Sequence, residues 1–163
     1  MFLTRHLSAL SIYLVLLLIL SSDLIIGITE FQIINFIVYL FIHFLLIYLA
    51  IYHFTTILYY ICFFLGIIID IFLLNEIGTH IISFMLLILL IHKLKKYINS
   101  LSSIKIYFII IVIVFFALLF EKLVTALLFN INFEVFYFIK SIFFILIISY
   151  PAFYIFNKID QFG

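Results

Sequence analysis

Apolar runs long enough to cross a bilayer follow one another along almost the entire chain, separated only by short polar interruptions. A hydrocarbon core of about 30 Å requires about 20 mainly apolar residues per helix. The interruptions divide the chain into six predicted spans, of which the fourth is short: residues 8–26, 31–51, 56–74, 79–91, 106–128 and 137–156. The runs lack the alternation of polar and apolar residues that a β-barrel needs. The sequence therefore predicts an all-α integral membrane protein, a single six-helix transmembrane bundle.

The composition supports a bilayer as the environment of this chain. Hydrophobic residues make up 70% of the 163 residues and charged residues 9%, too little polar surface for a soluble globule of this size. A net charge of +1 without a polybasic tail gives no reason to expect nucleic acid as a partner. With one cysteine, Cys62, the chain forms no internal disulfide. We expect a protein that acts within the bilayer or through partners.

Cations and acids are predicted to lie on opposite sides of the membrane. With a cytoplasmic N-terminus, most basic residues fall on the inner side: Arg5, Lys93, Lys95, Lys96, Lys105 and Lys158. Most acids fall on the outer flanks: Asp23, Glu30, Glu76 and Glu134. Because positive charge is retained in the cytoplasm, and because the number of spans is even, both termini are predicted to be cytoplasmic.

Asp70 lies inside the apolar stretch from Gly66 to Gly78. An acid at the bilayer centre costs roughly 2.5 to 3.5 kcal/mol on insertion scales, so Asp70 is expected to face other helices or a polar cavity rather than lipid. Gly66 lies one helical turn earlier on the same face. A residue without a side chain there lets a neighbouring helix come close beside the acid.

Two clusters of intramembrane polar residues are expected. The first brings together residues near the outer ends of the second, third and fourth spans: Asn35, Asp70, Thr79, His80 and Ser83. Hydrogen bonds between helices are the favoured interpretation of such a cluster, and a direct ligand or ion role is the alternative.

The second cluster contains Glu121 and Lys122 in the fifth span and Lys140 at the start of the sixth. Neighbours in a helix point about 100° apart, so Glu121 and Lys122 face different directions. Glu121 is therefore expected to pair with Lys140 across the bundle.

The chain contains none of the usual catalytic or metal-binding motifs. Asn35, Tyr39 and His43 recur every four residues and line one stripe of the second helix. His53, ten residues after His43, falls on a different face, so a shared metal or haem site on that helix is not expected. His43 is interpreted as a hydrogen-bonded interior histidine. We expect no catalytic residues, no cofactor and no metal site.

The pattern of Gly66, three residues, Asp70 and then Gly78, followed by a helix that runs into a basic loop, resembles the rod shape-determining MreD family. The second half is similar too, with an acid at Glu121, the outer segment 129–136, and Pro151 in the last helix before a short cationic tail. The resemblance extends over nearly the whole length.

This resemblance implies a non-catalytic scaffold of the cell-elongation machinery in the bacterial inner membrane. The family works with the bitopic protein MreC and, through it, with the actin-like MreB and the peptidoglycan synthases of lateral wall growth. It also implies a bundle related to the substrate-binding S components of energy-coupling-factor transporters. Kinship of fold does not by itself transfer transport activity.

Two alternatives belong to other functional classes. The first is an S component that binds a vitamin, which should show convergent polar groups and a long outer lid, whereas the outer turns here are short. The second is a small subunit of an organellar respiratory complex, in which Asp70 or Glu121 would belong to a proton path.

Overall fold

A computed structural model describes residues 11–20, 32–71, 78–129 and 135–162. These residues form six helices: α1 Ser11–Leu20, α2 Gln32–Tyr52, α3 Ile57–Ile69, α4 Thr79–Ile98, α5 Ser103–Phe129 and α6 Val135–Phe162. The prediction of an all-helical chain with six helices is confirmed for this part of the sequence. Parts of the first three predicted spans, at residues 8–10, 21–26, 31 and 72–74, lie outside it.

The observed helices are longer than the hydropathy of the sequence predicts in three places. α4 continues past residue 91 to Ile98, and both α5 and α6 extend beyond the predicted limits. Lysines end an apolar run but are good helix formers, so α4 continues through Lys93, Lys95 and Lys96. Hydropathy marks where apolar character stops, which is not where the helix stops, so α4 is longer than the short predicted span.

Three helices are long and apolar enough to cross a membrane, judged by length and composition within the described residues. They comprise Ile34–Tyr52, Ser103–Leu128 and Ile139–Gln161. α1 and α3 are shorter apolar helices in the same part of the chain.

α2 is the central helix of the bundle, in contact with α3, α4, α5 and α6. Between Tyr39 and Ile51 every side chain except that of Phe41 is buried. A helix that is apolar around its whole circumference is covered either by neighbouring helices or by lipid, and here neighbouring helices cover α2. α2 therefore presents its few polar side chains to the interior, which places them at the centre of the molecule.

Pro151 lies inside α6, which continues to Phe162 without a break. Proline lacks a backbone N–H, so the hydrogen bond it would donate four residues back is missing. Two residues earlier, Ser149 donates to the carbonyl of Leu146 at 3.0 Å and meets the Tyr107 hydroxyl at 2.8 Å. The bond between Tyr107 and Ser149 holds α6 to α5 close to the proline.

Candidate functional site

The carboxylate of Asp70, at the end of α3, receives the start of α4. One oxygen, Oδ1, accepts the backbone N–H of His80 at 2.9 Å and the His80 ring Nδ1–H at 2.6 Å. The other, Oδ2, accepts the N–H of Gly78 at 2.8 Å and of Ile81 at 3.4 Å. The first N–H groups of a helix have no partner within it and carry partial positive charge. Asp70 can be fully buried because N–H groups at the start of α4 form hydrogen bonds with both of its carboxylate oxygens.

Two glycines allow this arrangement. A Cβ added at Gly66 would lie 2.7 Å from Cα and 2.8 Å from N of Ile81, so α3 and α4 touch through their backbones there. Gly78 precedes α4 with a φ of 143°, a conformation that L side chains rarely adopt. The close approach of a helix beside the acid, expected from Gly66, is the geometry observed.

A second carboxylate, Glu121 of α5, is buried against α2. Its Oε1 lies 2.8 Å from Nε2 of His43, and its Oε2 accepts a short hydrogen bond from the Tyr39 hydroxyl. Nδ1 of His43 lies 2.9 Å from the backbone carbonyl of Tyr39. The expectation that His43 is a hydrogen-bonded interior histidine is confirmed, since both ring nitrogens have partners and the side chain is fully buried.

These partners determine how many protons the His43–Glu121 pair holds. A carbonyl oxygen only accepts, so Nδ1 of His43 carries a proton. One further proton then lies between Nε2 of His43 and Oε1 of Glu121. Whichever atom holds that proton, the pair has no net charge. A neutral pair is the arrangement that costs least to bury.

The two carboxylates belong to one continuous network. The ring of Tyr39 packs edge-on against the His80 ring, with centroids 5.7 Å apart, and against the His43 ring at 4.5 Å. The Phe84 ring contacts both imidazoles, at 5.2 Å to His43 and 6.1 Å to His80. Asp70, His80, Tyr39, Glu121 and His43, which we call the acid–histidine network, therefore join α2, α3, α4 and α5.

Several predicted members lie apart from this network. Glu121 contacts His43 and Tyr39 rather than Lys140, which is exposed near the start of α6, so the predicted pairing of Glu121 with Lys140 was wrong. Within the described residues, Asn35 is partly buried and forms no hydrogen bond with Asp70 or His80. The hydroxyls of Thr79 and Ser83 are buried there without a hydrogen-bond partner.

A third polar cluster, at the opposite end of α2, was missed from the sequence. Asp160 in α6 accepts the Tyr13 hydroxyl at 2.7 Å, Nε2–H of His53 at 3.0 Å and a short hydrogen bond from the Tyr48 hydroxyl. The Tyr13 hydroxyl also lies 2.9 Å from the carbonyl of Phe156. The available signal was that Asp160 is the one acid after the last apolar run. This cluster, the Asp160 clasp, ties α1, the end of α2 and α6 together.

The acid–histidine network is suited to holding helices together, by two hydrogen-bonded groups whose rings pack against each other. Among the described residues, no group of three or more His, Cys, Asp or Glu side chains is arranged to hold a metal ion. The carboxylate oxygens of Asp70 and Glu121 are engaged by protein donors, which leaves little capacity for a polar ligand. Comparison of the chain with known protein families, curated proteins and solved structures found no match.

Proposed function

We propose that this chain is a multi-pass protein of the bacterial inner membrane and a non-catalytic scaffold of the MreD type. In this role it links MreC, and through it MreB and the lateral peptidoglycan synthases. One observation carries the proposal. Gly66, Asp70 and Gly78, the residues on which the resemblance rests, meet at a single junction between α3 and α4. Close packing of two helices through small residues suits a protein whose role is to hold helices and partners together.

The internal hydrogen bonding of the network supports a scaffold over a vitamin-binding S component. A small-molecule site is a pocket with a few polar groups that converge on the ligand. In the described part of the chain, the carboxylates and imidazoles converge on one another instead. The cavities there include grooves between α4 and α5 and between α5 and α6, both with almost wholly apolar walls.

The proposed orientation places the connection between α4 and α5 in the cytoplasm, because Lys93, Lys95, Lys96 and Lys105 surround it. An impermeant thiol reagent tests this orientation in a Cys62→Ser background. We expect Ser102→Cys to be protected from external reagent and Asn132→Cys to be labelled. If external reagent labels Ser102→Cys and not Asn132→Cys, the orientation is the reverse of the one proposed.

Depletion and co-purification test the scaffold role. In a rod-shaped host, depletion is expected to give rounded cells, and the chain is expected to co-purify in mild detergent with MreC. Asp70→Leu should lower the yield of that complex, whereas Tyr60→Phe on the exposed face of α3 should not. Saturable vitamin binding by the purified chain, with no change of cell shape on depletion, would instead support the S component.

A second candidate, a proton-conducting subunit of a respiratory complex, is favoured by one specific observation. The acid–histidine network places two acids and two imidazoles in one buried chain of contacts. Such chains mark proton paths in membrane proteins. Purified protein in vesicles should then conduct protons under an applied potential, and Glu121→Gln should abolish the flux. If the chain is a scaffold only, neither the wild-type protein nor Glu121→Gln conducts protons.

A further inference from the structure

A groove of about 380 Å³ runs along the side of the bundle between α4 and α5. Its walls are apolar, with Leu86, Leu90 and Leu94 on α4 and Ile113 and Phe116 on α5. Leu90 is 49% exposed and Phe116 is 61% exposed. The groove therefore opens on the side of the bundle, where lipid hydrocarbon surrounds a membrane protein.

The groove has the length of a single lipid chain. It extends along α4 from Ser83 to Leu94, which at 1.5 Å per residue is about 16 Å. A hydrocarbon core is about 30 Å thick, so one leaflet is about 15 Å. A straight acyl chain from one leaflet matches that length.

Two lysines lie toward one end of the groove: Lys93 is next to Leu94 on α4, and Lys105 is eight residues before Ile113 on α5. Lys93 is about 20° from Leu86 around α4, and Lys105 is about 20° from Phe116 around α5, at 100° per residue. Both lysines are exposed. Lys93 is five residues before the end of α4 and Lys105 is two residues after the start of α5, so both are close to the connection between these helices. Because lysine side chains are long and flexible, a headgroup at this end of the groove can meet an ammonium from each helix.

Lys95 and the groove between α5 and α6 differ from this arrangement. Lys95 points away, toward α2 and α3, where its ammonium lies 5.3 Å above the Phe54 ring and partial burial lowers its pKa. The groove between α5 and α6, of about 230 Å³, shares Phe116 with the first. Its α6 wall leads toward the same end past the exposed Tyr150 and Tyr154, and the Lys158 ammonium there lies 5.8 Å from the centroid of the Tyr154 ring.

We propose that the groove between α4 and α5 binds an anionic glycerophospholipid. One acyl chain lies along the groove, and the headgroup phosphate lies between Lys93 and Lys105. Apolar length and paired positive charge together match this amphiphile. The proposal goes beyond the scaffold role and depends only on the chain being embedded in a membrane. A chain that does not bind MreC could therefore still bind this lipid.

Fluorescence quenching tests this site, because the chain contains no tryptophan. Leu90→Trp places one tryptophan in the groove, and Leu146→Trp places a matched control in the groove between α5 and α6. Each protein is reconstituted in phosphatidylcholine vesicles with a small fraction of phosphatidylglycerol or phosphatidylcholine that carries brominated chains. Brominated phosphatidylglycerol is expected to quench Leu90→Trp more strongly than brominated phosphatidylcholine, and to show no such preference with Leu146→Trp.

Charge variants of the Leu90→Trp protein test the lysines. Lys93→Gln with Lys105→Gln is expected to weaken the phosphatidylglycerol preference about 25-fold, since each basic residue near an anionic surface contributes roughly fivefold. Lys95→Gln with Lys158→Gln removes the same charge elsewhere and should leave the preference intact. Leu94→Trp serves as a second reporter if Leu90→Trp lowers the thermal midpoint of the protein.

Three results would overturn the proposal. The first is equal quenching by the two brominated lipids. The second is a preference that survives loss of both lysines. The third is weak quenching by both lipids when a partner protein co-purifies, because a protein helix then fills the groove.

Discussion

Replacing Asp70 tests whether one carboxylate holds the start of α4 against α3. Asp70→Leu removes the acceptor of three backbone N–H groups, of Gly78, His80 and Ile81, and of the His80 ring. Each buried donor left without a partner costs roughly 1 to 3 kcal/mol, and breaking a buried pair costs roughly 3 to 5 kcal/mol. Because the freed donors share the same start of α4, we expect the lower total, about 3 to 5 kcal/mol.

Asp70→Asn should cost about half as much as Asp70→Leu. The amide oxygen can still accept from the His80 N–H and ring at the position of Oδ1. The amide nitrogen at the other position is a donor and faces the donating N–H of Gly78. Half of the junction is therefore kept and half is lost, so the order of stability should be wild type, Asn, then Leu.

The single cysteine supplies the assay. Cys62 lies on α3, two turns before Asp70, and is fully buried. A thiol-reactive fluorogenic dye followed on heating in detergent reports when α3 leaves the bundle. At about 2 to 4 °C per kcal/mol for a chain of this size, Asp70→Leu should lower the midpoint by roughly 6 to 20 °C. Ile71→Ala, at the adjacent exposed position, should shift it little. Equal midpoints for Asp70→Leu and Ile71→Ala would refute this account of the junction.

Three further changes use the same thermal assay or a protease. Gly66→Ala places a methyl group against the backbone of Ile81 and should cost about 1 to 3 kcal/mol, so an unchanged midpoint would contradict backbone contact between α3 and α4. Glu121→Gln can still form hydrogen bonds with His43 and Tyr39 and should cost about 1 kcal/mol. Glu121→Leu cannot, and should cost about 3 to 5 kcal/mol. Similar thermal midpoints for the two variants would argue against a buried pair. Asp160→Ala opens the Asp160 clasp and should speed trypsin cleavage at Lys158 severalfold, while cleavage at the wild-type rate would show that the clasp does not hold the end of α6.

Local contacts were the predictable part of the candidate site. Gly66 and Asp70 lie one turn apart on one helix, and His80 lies ten residues after the acid. Contacts at such short separation follow from helix periodicity and chain connectivity, so the sequence indicates that this acid meets the next helix. It does not indicate that Asp70 accepts backbone N–H groups, because that depends on how the two helix ends are positioned.

Long-range partners were not predictable in this way. Glu121 lies 78 residues from His43 and pairs with it, while the nearer Lys140 remains exposed. The membrane depth predicted for Glu121 from the sequence is compatible with either His43 or Lys140 as its partner. The Asp160 clasp likewise joins residues up to 147 apart in the chain, and no local pattern links them.

The sequence by itself determined that the chain is helical, where its apolar segments lie and that Asp70 must avoid lipid, because helix length, hydropathy and the cost of a buried charge are local properties of a segment. Only the tertiary structure decided that α2 lies at the centre and that α4 and α5 leave a groove beside two lysines. It also decided that the two expected polar clusters share one network through Tyr39. Apolar helices are nearly interchangeable in hydropathy, so their neighbours are selected by packing shape and by the few hydrogen bonds that only one arrangement satisfies.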